Sequence, residues 1–165
     1  MATHDQGTTV RPAAPGDAPA VAAIWFAGWR DGHLGNVPDE LTRIRTEESF
    51  GERAEQHVED TVVAEVGGQV AGFVMVAGSE VEQVYVDERH RGTGLASMLL
   101  AEAERLVAAA GHPVAWLAVV EGNQRARRFY ERQGWSNEGL IGHAAPGNDG
   151  PVVVPALRYT KQVRF

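Results

Sequence analysis

The sequence EVEQVYVDERHRGTGLASMLLAEAERLVAAAG, residues 80–111, predicts a strand, a glycine loop and a helix, in that order. Residues 81–86 include the β-branched and aromatic side chains Val81, Val84, Tyr85 and Val86 over the length of a strand. From Leu95 onward the apolar residues recur at helical spacing, and Gly111 suits the position that follows a helix. A second apolar run at residues 114–120 predicts a strand parallel to the first, which indicates an α/β fold.

The connection from Arg91 to Ala96 has the composition of a phosphate-binding loop. Gly92 and Gly94 allow a tight turn and a close approach of the backbone to a ligand. The first N–H groups of the following helix have no intrahelical partner and carry the positive end of its dipole. These N–H groups, together with Arg89 and Arg91, predict a site for a phosphate or pyrophosphate. The alternative is an ordinary strand–helix loop with solvated charges, which has the same composition.

The same loop also begins the G-x-G of a dinucleotide-binding motif, but this alternative fits poorly. Ser97 occupies the position of the third glycine, and no acidic residue ends the next strand at the expected distance of about 20 residues. The sequence contains no Walker A loop either, because no Gly-Lys-Ser/Thr follows a glycine loop. Both observations argue against a nucleotide-binding protein of the Rossmann or P-loop class.

The composition predicts one globular domain over residues 1–165, with a core at about 8–160. A net charge of −7 makes a nucleic-acid partner unexpected. The absence of cysteine excludes disulfides and a thiolate nucleophile. No N-terminal leader and no apolar run of about 18 residues is present, so we expect a cytoplasmic protein without a membrane partner. We expect no metal, because the remaining histidines lack ligand spacing and are interpreted as surface residues: His4, His57, His90, His112 and His143.

The rest of the chain predicts alternating short strands and helices. The expected strands, besides those above, are 8–12, the hairpin 61–66 and 69–77 about Gly67-Gly68, a short strand from Trp135, and 152–163 with a bulge or edge at Pro155. The expected helices are 17–30, then 39–57 in one or two partly exposed pieces, and 123–133. Loops are expected at 31–38 and 142–151.

Two motifs together resemble the GCN5-related N-acetyltransferase (GNAT) superfamily. Arg91-x-x-Gly94-x-Ala96 is similar to the family signature Q/R-x-x-G-x-G/A, and it lies after a strand and at the start of a helix. Asn123-x-x-Ala126-x-x-Phe129-Tyr130-x-x-x-Gly134-Trp135 is similar to the family's stretch after the fifth strand. Residues 10–17 and 29–38 also resemble the family, so the resemblance covers about residues 8–160.

The resemblance implies a mixed, mostly antiparallel sheet of about seven strands flanked by about four helices. Its fourth and fifth strands, here residues 80–86 and 114–120, would be parallel and splayed, with acetyl-coenzyme A (acetyl-CoA) as co-substrate between them. The residues that would bind the coenzyme are Val84, Tyr85, Val86, Arg91, Gly92, Thr93, Gly94, Leu95, Ala96, Ser97, Asn123, Ala126 and Tyr130.

Acetyl transfer to an amine requires a base for the amine and an acid for the departing thiolate. The motif match implies that Tyr130 is the acid, and a phenol with a pKa near 10 is protonated at neutral pH; a buried packing residue is the alternative. Glu80 and Glu82 are two residues apart on one strand face, so either can be the base or simply a solvated carboxylate. His33 is a third candidate, since its pKa suits the task.

The sequence does not identify the acceptor of the acetyl group. In related enzymes the first helix and the loop after it line the acceptor site, which implies Trp29 and His33 here. A primary amine of a small molecule is expected, and a peptide or protein N-terminus or a lysine is the alternative. A non-catalytic acyl-CoA-binding module of the same fold is a second alternative. Without cysteine the transfer would be direct. Whether other acyl-CoAs serve, and whether the chain forms a homodimer, is left open.

Overall fold

A computed structural model describes residues 7–164, which form one seven-stranded sheet and five α-helices. The strands are β1 Thr8–Pro12, β2 Thr61–Val66, β3 Gln69–Ala77, β4 Glu80–Val86, β5 Val114–Val119, β6 Ser136–Ala145 and β7 Val152–Gln162. The helices are α1 Ala18–His33, α2 Asp39–Ile44, α3 Glu47–Gln56, α4 Leu95–Ala109 and α5 Gln124–Arg132. The sheet order is β1-β2-β3-β4-β5-β7-β6. The expected fold class is confirmed; the helices number five because Thr46 caps α3 separately from α2.

The strands β4 and β5 form the parallel pair of an otherwise antiparallel sheet. Their register contains one Cα pair, Glu80 with Trp116, and the amide of Trp116 donates to the carbonyl of Ser79 at 3.0 Å. Beyond this point the two strands diverge, as expected for a splayed pair. The divergence leaves a gap in the middle of the sheet that neither strand's backbone fills.

The two faces of the sheet carry separate hydrophobic cores. Along β3, Val74 packs on the face covered by α4, whereas Phe73 and Met75 pack on the face covered by α1 and α3. Successive strand residues point to opposite faces, so one buried strand contributes to both cores. Trp25 of α1 and Phe50 of α3 belong to the second core, with their ring centroids 5.2 Å apart. The sheet is therefore held rigidly on both sides of the gap.

The C-terminal hairpin is longer than the sequence indicates. The prediction of a short strand followed by a loop from Gly142 is wrong, because β6 continues to Ala145 and pairs with β7 there, Gly142 opposite Pro155 and Ala145 opposite Val152. The sequence gives no sign of this pairing, which is a tertiary contact between two individually weak strands. A bulge or an edge was expected at Pro155; β7 is an interior strand, but Pro155 lies where it pairs with β6 and not with β5, whose register begins at Leu157.

The first helix also departs from its expected bounds. It continues to His33 instead of ending near Arg30, which places His33 in its last turn and not in a loop. Asp17 precedes the helix as expected, but its carboxylate binds Arg11 and the amide of Ala14 instead of a helix N–H group. The longer α1 brings its C-terminal turn to the gap between β4 and β5.

Within residues 7–164, none of the helices combines the length and the apolar character that crossing a bilayer requires.

Candidate active site

A cavity of about 560 Å³ occupies the gap between β4 and β5. The loop before α4 and the helix α5 line one part of it, and the C-terminal part of α1 reaches this part through Asp31. The remainder, which we call the acceptor end, is lined by α1, α2, α3 and the β6–β7 connection. Most of the expected coenzyme residues line the cavity: Val84, Tyr85, Val86, Arg91, Gly92, Gly94, Leu95, Ala96, Ser97, Asn123, Ala126 and Tyr130. Trp29, His33 and Glu82 line it as well. The cavity therefore unites residues that are more than 90 positions apart in the sequence.

The glycine loop has the geometry of an anion site. Gly92 and Gly94 adopt φ values of 78° and 84°, and Gly94 is the N-cap of α4. A Cβ added to either glycine would meet nothing within 4 Å, so the space beside the backbone is open. Thr93, by contrast, is outside the cavity lining, since its hydroxyl donates to the carbonyl of His90 at 2.5 Å. The backbone N–H groups at the start of α4 are thus available to a phosphate.

The basic residues beside this loop differ in their availability. Arg91 lines the cavity, and its guanidinium donates to the Asp31 carboxylate of α1 at 2.7 Å. Arg89 is exposed and binds Asp87, away from the cavity. The helix α5 adds Arg125 and Arg132 to the lining, which the sequence motifs did not indicate. The loop end of the cavity is therefore positively charged, as a pyrophosphate would require.

Tyr130 projects from α5 into an aromatic cluster beside the cavity. Its ring lies 6.3 Å from that of Trp135 and 6.2 Å from that of Tyr159, measured between centroids. Among residues 7–164 no group is hydrogen-bonded to its hydroxyl, which belongs to a residue of the cavity wall. Burial raises the pKa of Tyr130 to about 12, so the phenol carries its proton at neutral pH. The ring of Tyr130 packs in the aromatic cluster, and its hydroxyl is free to donate a hydrogen bond.

Asn123 joins α5 to α1. Its Oδ1 accepts from the amide of Ala126 at 3.3 Å, which makes it the N-cap of α5. Its Nδ2 lies 2.7 Å from the position that a Cβ on Gly32 would occupy, so the two segments touch at a glycine. The amide lines the cavity, but its oxygen is committed to the helix. Asn123 thereby fixes the position of α5 and of Tyr130 on it.

Glu82 lies at a β-bulge in β4. Val81 pairs with Val76 and Gln83 pairs with Met75, so Glu82 is the extra residue that has no partner on β3. Its side chain lines the cavity and is exposed to solvent there, and partial desolvation, followed by the nearby charge of Glu80, raises its pKa above the ordinary value. A raised pKa moves a carboxylate towards the range in which a general base works at neutral pH.

Glu80 has a different environment from Glu82. It does not line the cavity, and its Oε1 lies 3.3 Å from Nε2 of His143 in β6. His143 does line the cavity, with its ring near that of Trp116. The interpretation of His143 as a surface residue is therefore wrong, because the unexpectedly long β6 carries it inward. The same correction applies to His90, which also lines the cavity; His4 lies outside the described residues.

Trp29 and His33 stack at the α1 end of the cavity. Their ring centroids are 4.8 Å apart with an interplanar angle of 4°, and Nδ1–H of His33 donates to the Trp29 carbonyl at 2.9 Å. Burial, followed by the charge of Arg45, lowers the pKa of His33 to about 4. The imidazole is neutral at pH 7 and a weak base there. Trp29 is only 5% exposed and contributes mainly to the second core.

Two arginines from the charge-rich helices complete this end of the cavity. Arg45, just after α2, is 7% exposed, and its guanidinium donates to the carbonyl of Pro146 at 2.6 Å. Arg53 of α3 lies over the Trp25 ring, 4.4 Å from its centroid. Charge density in the sequence predicted a partly exposed helix pair, and these two side chains belong to its covered side. No local pattern distinguishes them from the exposed charges around them.

Chemically, the cavity combines an anion site, a protonated phenol and a carboxylate of raised pKa. Within residues 7–164, no group of three or more His, Asp or Glu side chains is arranged to hold a metal ion. The donors at the start of α4 suit a pyrophosphate, and the gap between β4 and β5 suits an extended chain. Such an arrangement fits a reaction that moves a group carried by a long, phosphate-bearing co-substrate.

Comparison with known proteins agrees with this geometry. Residues 23–135 match the model of the acetyltransferase (GNAT) family. The chain is 29% identical over 147 residues to "Probable N-acetyltransferase Rv2775" of Mycobacterium tuberculosis, covering 79% of this chain and 80% of that protein.

Solved structures share the fold at lower identity. Ard1 of Thermoplasma volcanium superposes with a TM-score of 0.71 at 22% identity, covering 96% of this chain and 99% of Ard1. YncA of Salmonella typhimurium, solved with its cofactor acetyl-CoA, gives 0.71 at 18% identity over 96% and 95% of the two chains. PaiA N-acetyltransferase of Thermoplasma acidophilum, in complex with coenzyme A, gives 0.70 at 15% identity over 94% and 99%. Because the family model matches most of the chain, the protein belongs to the GNAT family and is an N-acetyltransferase.

Proposed function

We propose that this protein transfers the acetyl group of acetyl-CoA directly to the primary amine of a small molecule. The observation that carries the proposal is the opening of the Gly92–Gly94 loop and of Tyr130 onto one cavity between β4 and β5. Two proteins of the same fold, YncA and PaiA, were solved with acetyl-CoA and coenzyme A. The residues present at the loop fit a pyrophosphate, since the helix N-terminus is open and Arg91 lies beside it.

Acetyl-CoA supplies a thioester whose acyl carbon is attacked by the neutral amine, with cleavage of the bond to sulfur. Glu82 accepts the proton that the amine must lose before attack, directly or through water, and its raised pKa favours this role. The hydroxyl of Tyr130 donates a proton to the departing sulfur and regains one from solvent. Removal of the amine proton and protonation of sulfur thereby balance, and no covalent intermediate on the protein is required.

Glu82 is a better candidate for the base than the two alternatives. Glu80 is outside the cavity lining and faces His143, so it would act only through that histidine or through water. His33 is within the cavity, but its pKa of about 4 leaves it too weak to deprotonate an ammonium group efficiently at pH 7. Glu82 both lines the cavity and has a raised pKa, and neither alternative combines these two properties.

A small acceptor is favoured over a peptide by the structure of the acceptor end. The Arg45 bond to Pro146 draws the β6–β7 connection to the cavity, where Pro146 forms part of the wall. With α1, α2 and α3 on the other sides, this end resembles a pocket more than a groove for an extended chain. A peptide or protein amine remains the second candidate and forms one arm of the experiment below.

The proposal is tested in two steps. Acetyl-CoA, and not NAD, should raise the melting temperature. At a ligand concentration of 100 Kd the free energy of unfolding should increase by about 2.7 kcal/mol. A panel of amino acids, aminoglycosides, polyamines and short peptides is then assayed for release of the coenzyme thiol. Stabilisation by acetyl-CoA with turnover of small amines supports the proposal. Turnover restricted to peptides favours the second candidate, and binding without any turnover favours a non-catalytic acyl-CoA-binding module.

A further inference from the structure

Two guanidinium groups at the acceptor end of the cavity lack acidic partners. Arg45 has one hydrogen bond, to the carbonyl of Pro146, and Arg53 has none among residues 7–164. Neither lies within 4.0 Å of a carboxylate oxygen in the described part of the chain. Five N–H donors on each guanidinium therefore have at most one protein acceptor. Both arginines line the cavity.

A shortage of acidic residues does not explain this. The chain contains 22 acidic and 15 basic residues, and it pairs other arginines readily. Arg11 binds both Asp17 and Glu65, and Arg105 binds Glu102. Burying a cation without an anion is costly, so positions of this kind usually serve a purpose other than stability.

The two arginines are also close enough to disfavour each other. Burial, followed by the charge of Arg45, lowers the pKa of Arg53 to about 10. The Arg53 guanidinium is stacked over Trp25 and lies 5.6 Å from the centroid of Phe50, so aromatic faces cover one side of it. A stacked guanidinium keeps its N–H groups in its own plane, where an anion can accept them. This stacked guanidinium and that of Arg45 carry repelling charges, so together they form a site that an anion would stabilise.

Glu82 adds a negative charge to this positively charged site. Glu82 lines the same cavity as the two arginines, and its charge acts on Arg53 without forming a salt bridge. The acceptor end thus presents one carboxylate for an ammonium group and two guanidinium groups for an anion. A purely cationic acceptor would find the carboxylate but would be repelled by the arginines.

We propose that the acceptor is an amine that also carries an anionic group, a carboxylate or a phosphonate, which Arg45 and Arg53 bind. This inference rests on the proposed acetyl transfer and names its substrate class. An amino acid combines both groups within a few bonds, whereas polyamines and aminoglycosides lack the anion. The anion holds the acceptor with its amine towards Glu82.

The test compares matched ligands in a binding assay that does not depend on turnover. Trp25 and Trp29 lie at this site, so tryptophan fluorescence of the coenzyme-A complex reports binding. The probes are N-acetyl amino acids, which correspond to products, and their neutral carboxamides. We expect the carboxylates to bind at least 10-fold more tightly than the amides, and Arg53→Met to remove about 10- to 100-fold of that affinity.

Arg53→Met keeps an apolar stem against Trp25 and Phe50, and a matched control is Arg30→Met. Arg30 is exposed and lies 5.5 Å from the Phe26 ring centroid, outside the cavity, so its loss should leave both affinities unchanged. Equal affinity for carboxylates and amides, or no carboxylate binding at all, overturns the inference. A loss of coenzyme affinity in Arg53→Met equal to the loss of carboxylate affinity also overturns it, since the arginine would then serve the coenzyme.

The acetylation assay separates this inference from the proposed function. Amino acids and aminoalkylphosphonates are compared with the amines that remain when the anionic group is removed. A preference for the anionic member of each pair, lost in Arg53→Met, supports the inference. If the amines without an anion react as well, the inference fails while the proposed acetyl transfer holds. If acetyl-CoA itself does not bind, the proposed function fails whatever the anions do.

Discussion

The ring of Tyr85 on β4 lies directly against the backbone of Gly28 on α1, with no space for a side chain between them. A Cβ on Gly28 would overlap Cδ1 of the tyrosine and lie 2.8 Å from Cε1. This contact sets the distance between α1 and the strand that lines the cavity. The acceptor end therefore depends on a glycine in the middle of a helix, where alanine would ordinarily be the more stable residue.

Gly28→Ala should destabilise the protein by about 1 to 3 kcal/mol, because the tyrosine ring must move within a packed core. The control is Gly51→Ala in α3, where an added Cβ meets nothing within 4 Å. That change should stabilise the protein by up to about 1 kcal/mol. Urea unfolding of both variants measures the difference. An equal increase in the free energy of unfolding of both variants would mean that Tyr85 does not constrain α1.

Gly94→Asp should abolish coenzyme binding while the domain stays folded. Gly94 has φ 84°, a conformation that Asp and Asn tolerate better than most residues, and its Cβ would enter open space. A carboxylate there would face the phosphate. Gly94→Asn has the same shape without the charge, so it should retain much more affinity than Gly94→Asp. Calorimetric titration with acetyl-CoA compares them; equal losses would point to backbone strain instead of charge.

The glycine loop and its flanking elements could be predicted from the sequence because their signals are local. The change from a strand run at Val81 to helical spacing at Leu95, with glycines between, needs no distant partner. The hairpin about Gly67-Gly68 is local in the same sense, and β2 and β3 have the expected bounds. Motif spacing singled out Tyr130, which lines the cavity in the structure, on a helix that begins at the cap that Asn123 provides.

The features that could not be predicted from the sequence depend on contacts between distant segments. The length of β6 arises from its pairing with β7, which carries His143 into the cavity wall. The bulge at Glu82 is visible only in its register with β3. The burial of Arg45 and the half-buried position of Arg53 depend on where α2 and α3 pack, and an exposed arginine in these helices has the same sequence context. The acceptor end is therefore the part that required the structure.

His33 should make the folded state sensitive to mild acid. Its pKa falls from 6.5 to about 4 on folding, so between these pH values the unfolded chain binds a proton that the folded protein does not. Stability should therefore fall as the pH decreases from about 6.5 to 4, by up to about 3 kcal/mol from this residue. His33→Phe keeps a ring on Trp29 and should show a correspondingly shallower loss. Unfolding by urea across this range tests it, and identical slopes would contradict it.

Glu82→Gln should separate catalysis from stability. As the base, Glu82 must be ionised, so kcat/KM should rise with pH through its raised pKa; the variant should lose this limb and about 10²- to 10⁴-fold in rate. A carboxyl whose folded pKa exceeds its ordinary 4.5 destabilises the folded state when ionised. The variant should accordingly be more stable than the parent at pH 7 to 8, and this difference should vanish below about pH 4.

The control for this pair of effects is Glu80→Gln, which changes a carboxylate outside the cavity lining. It should keep the acid limb of the pH profile, because Glu82 remains. If Glu82→Gln retains the parental rate and limb while Glu80→Gln loses them, the base is Glu80, acting through His143, 3.3 Å away, or through water.

Tyr130→Phe should slow acetyl transfer without weakening coenzyme binding. The ring and its contacts with Trp135 and Tyr159 are kept, and only the proton donor is removed. Because burial raises the pKa of the phenol to about 12, the parent enzyme holds this proton at every pH of the assay. General acid catalysis contributes about 10²- to 10⁴-fold, and single-turnover measurements with a reactive acceptor should show a loss in that range.

A matched control is Tyr159→Phe. The hydroxyl of Tyr159 donates to Glu131 at 3.2 Å and is outside the cavity, so its removal should cost stability but not rate. Single turnover is required because the departing thiolate needs a proton only in the transfer step, and slow product release would hide the effect in steady state. If Tyr130→Phe transfers the acetyl group at the parental rate, Tyr130 is a packing residue and the proton reaches sulfur from water.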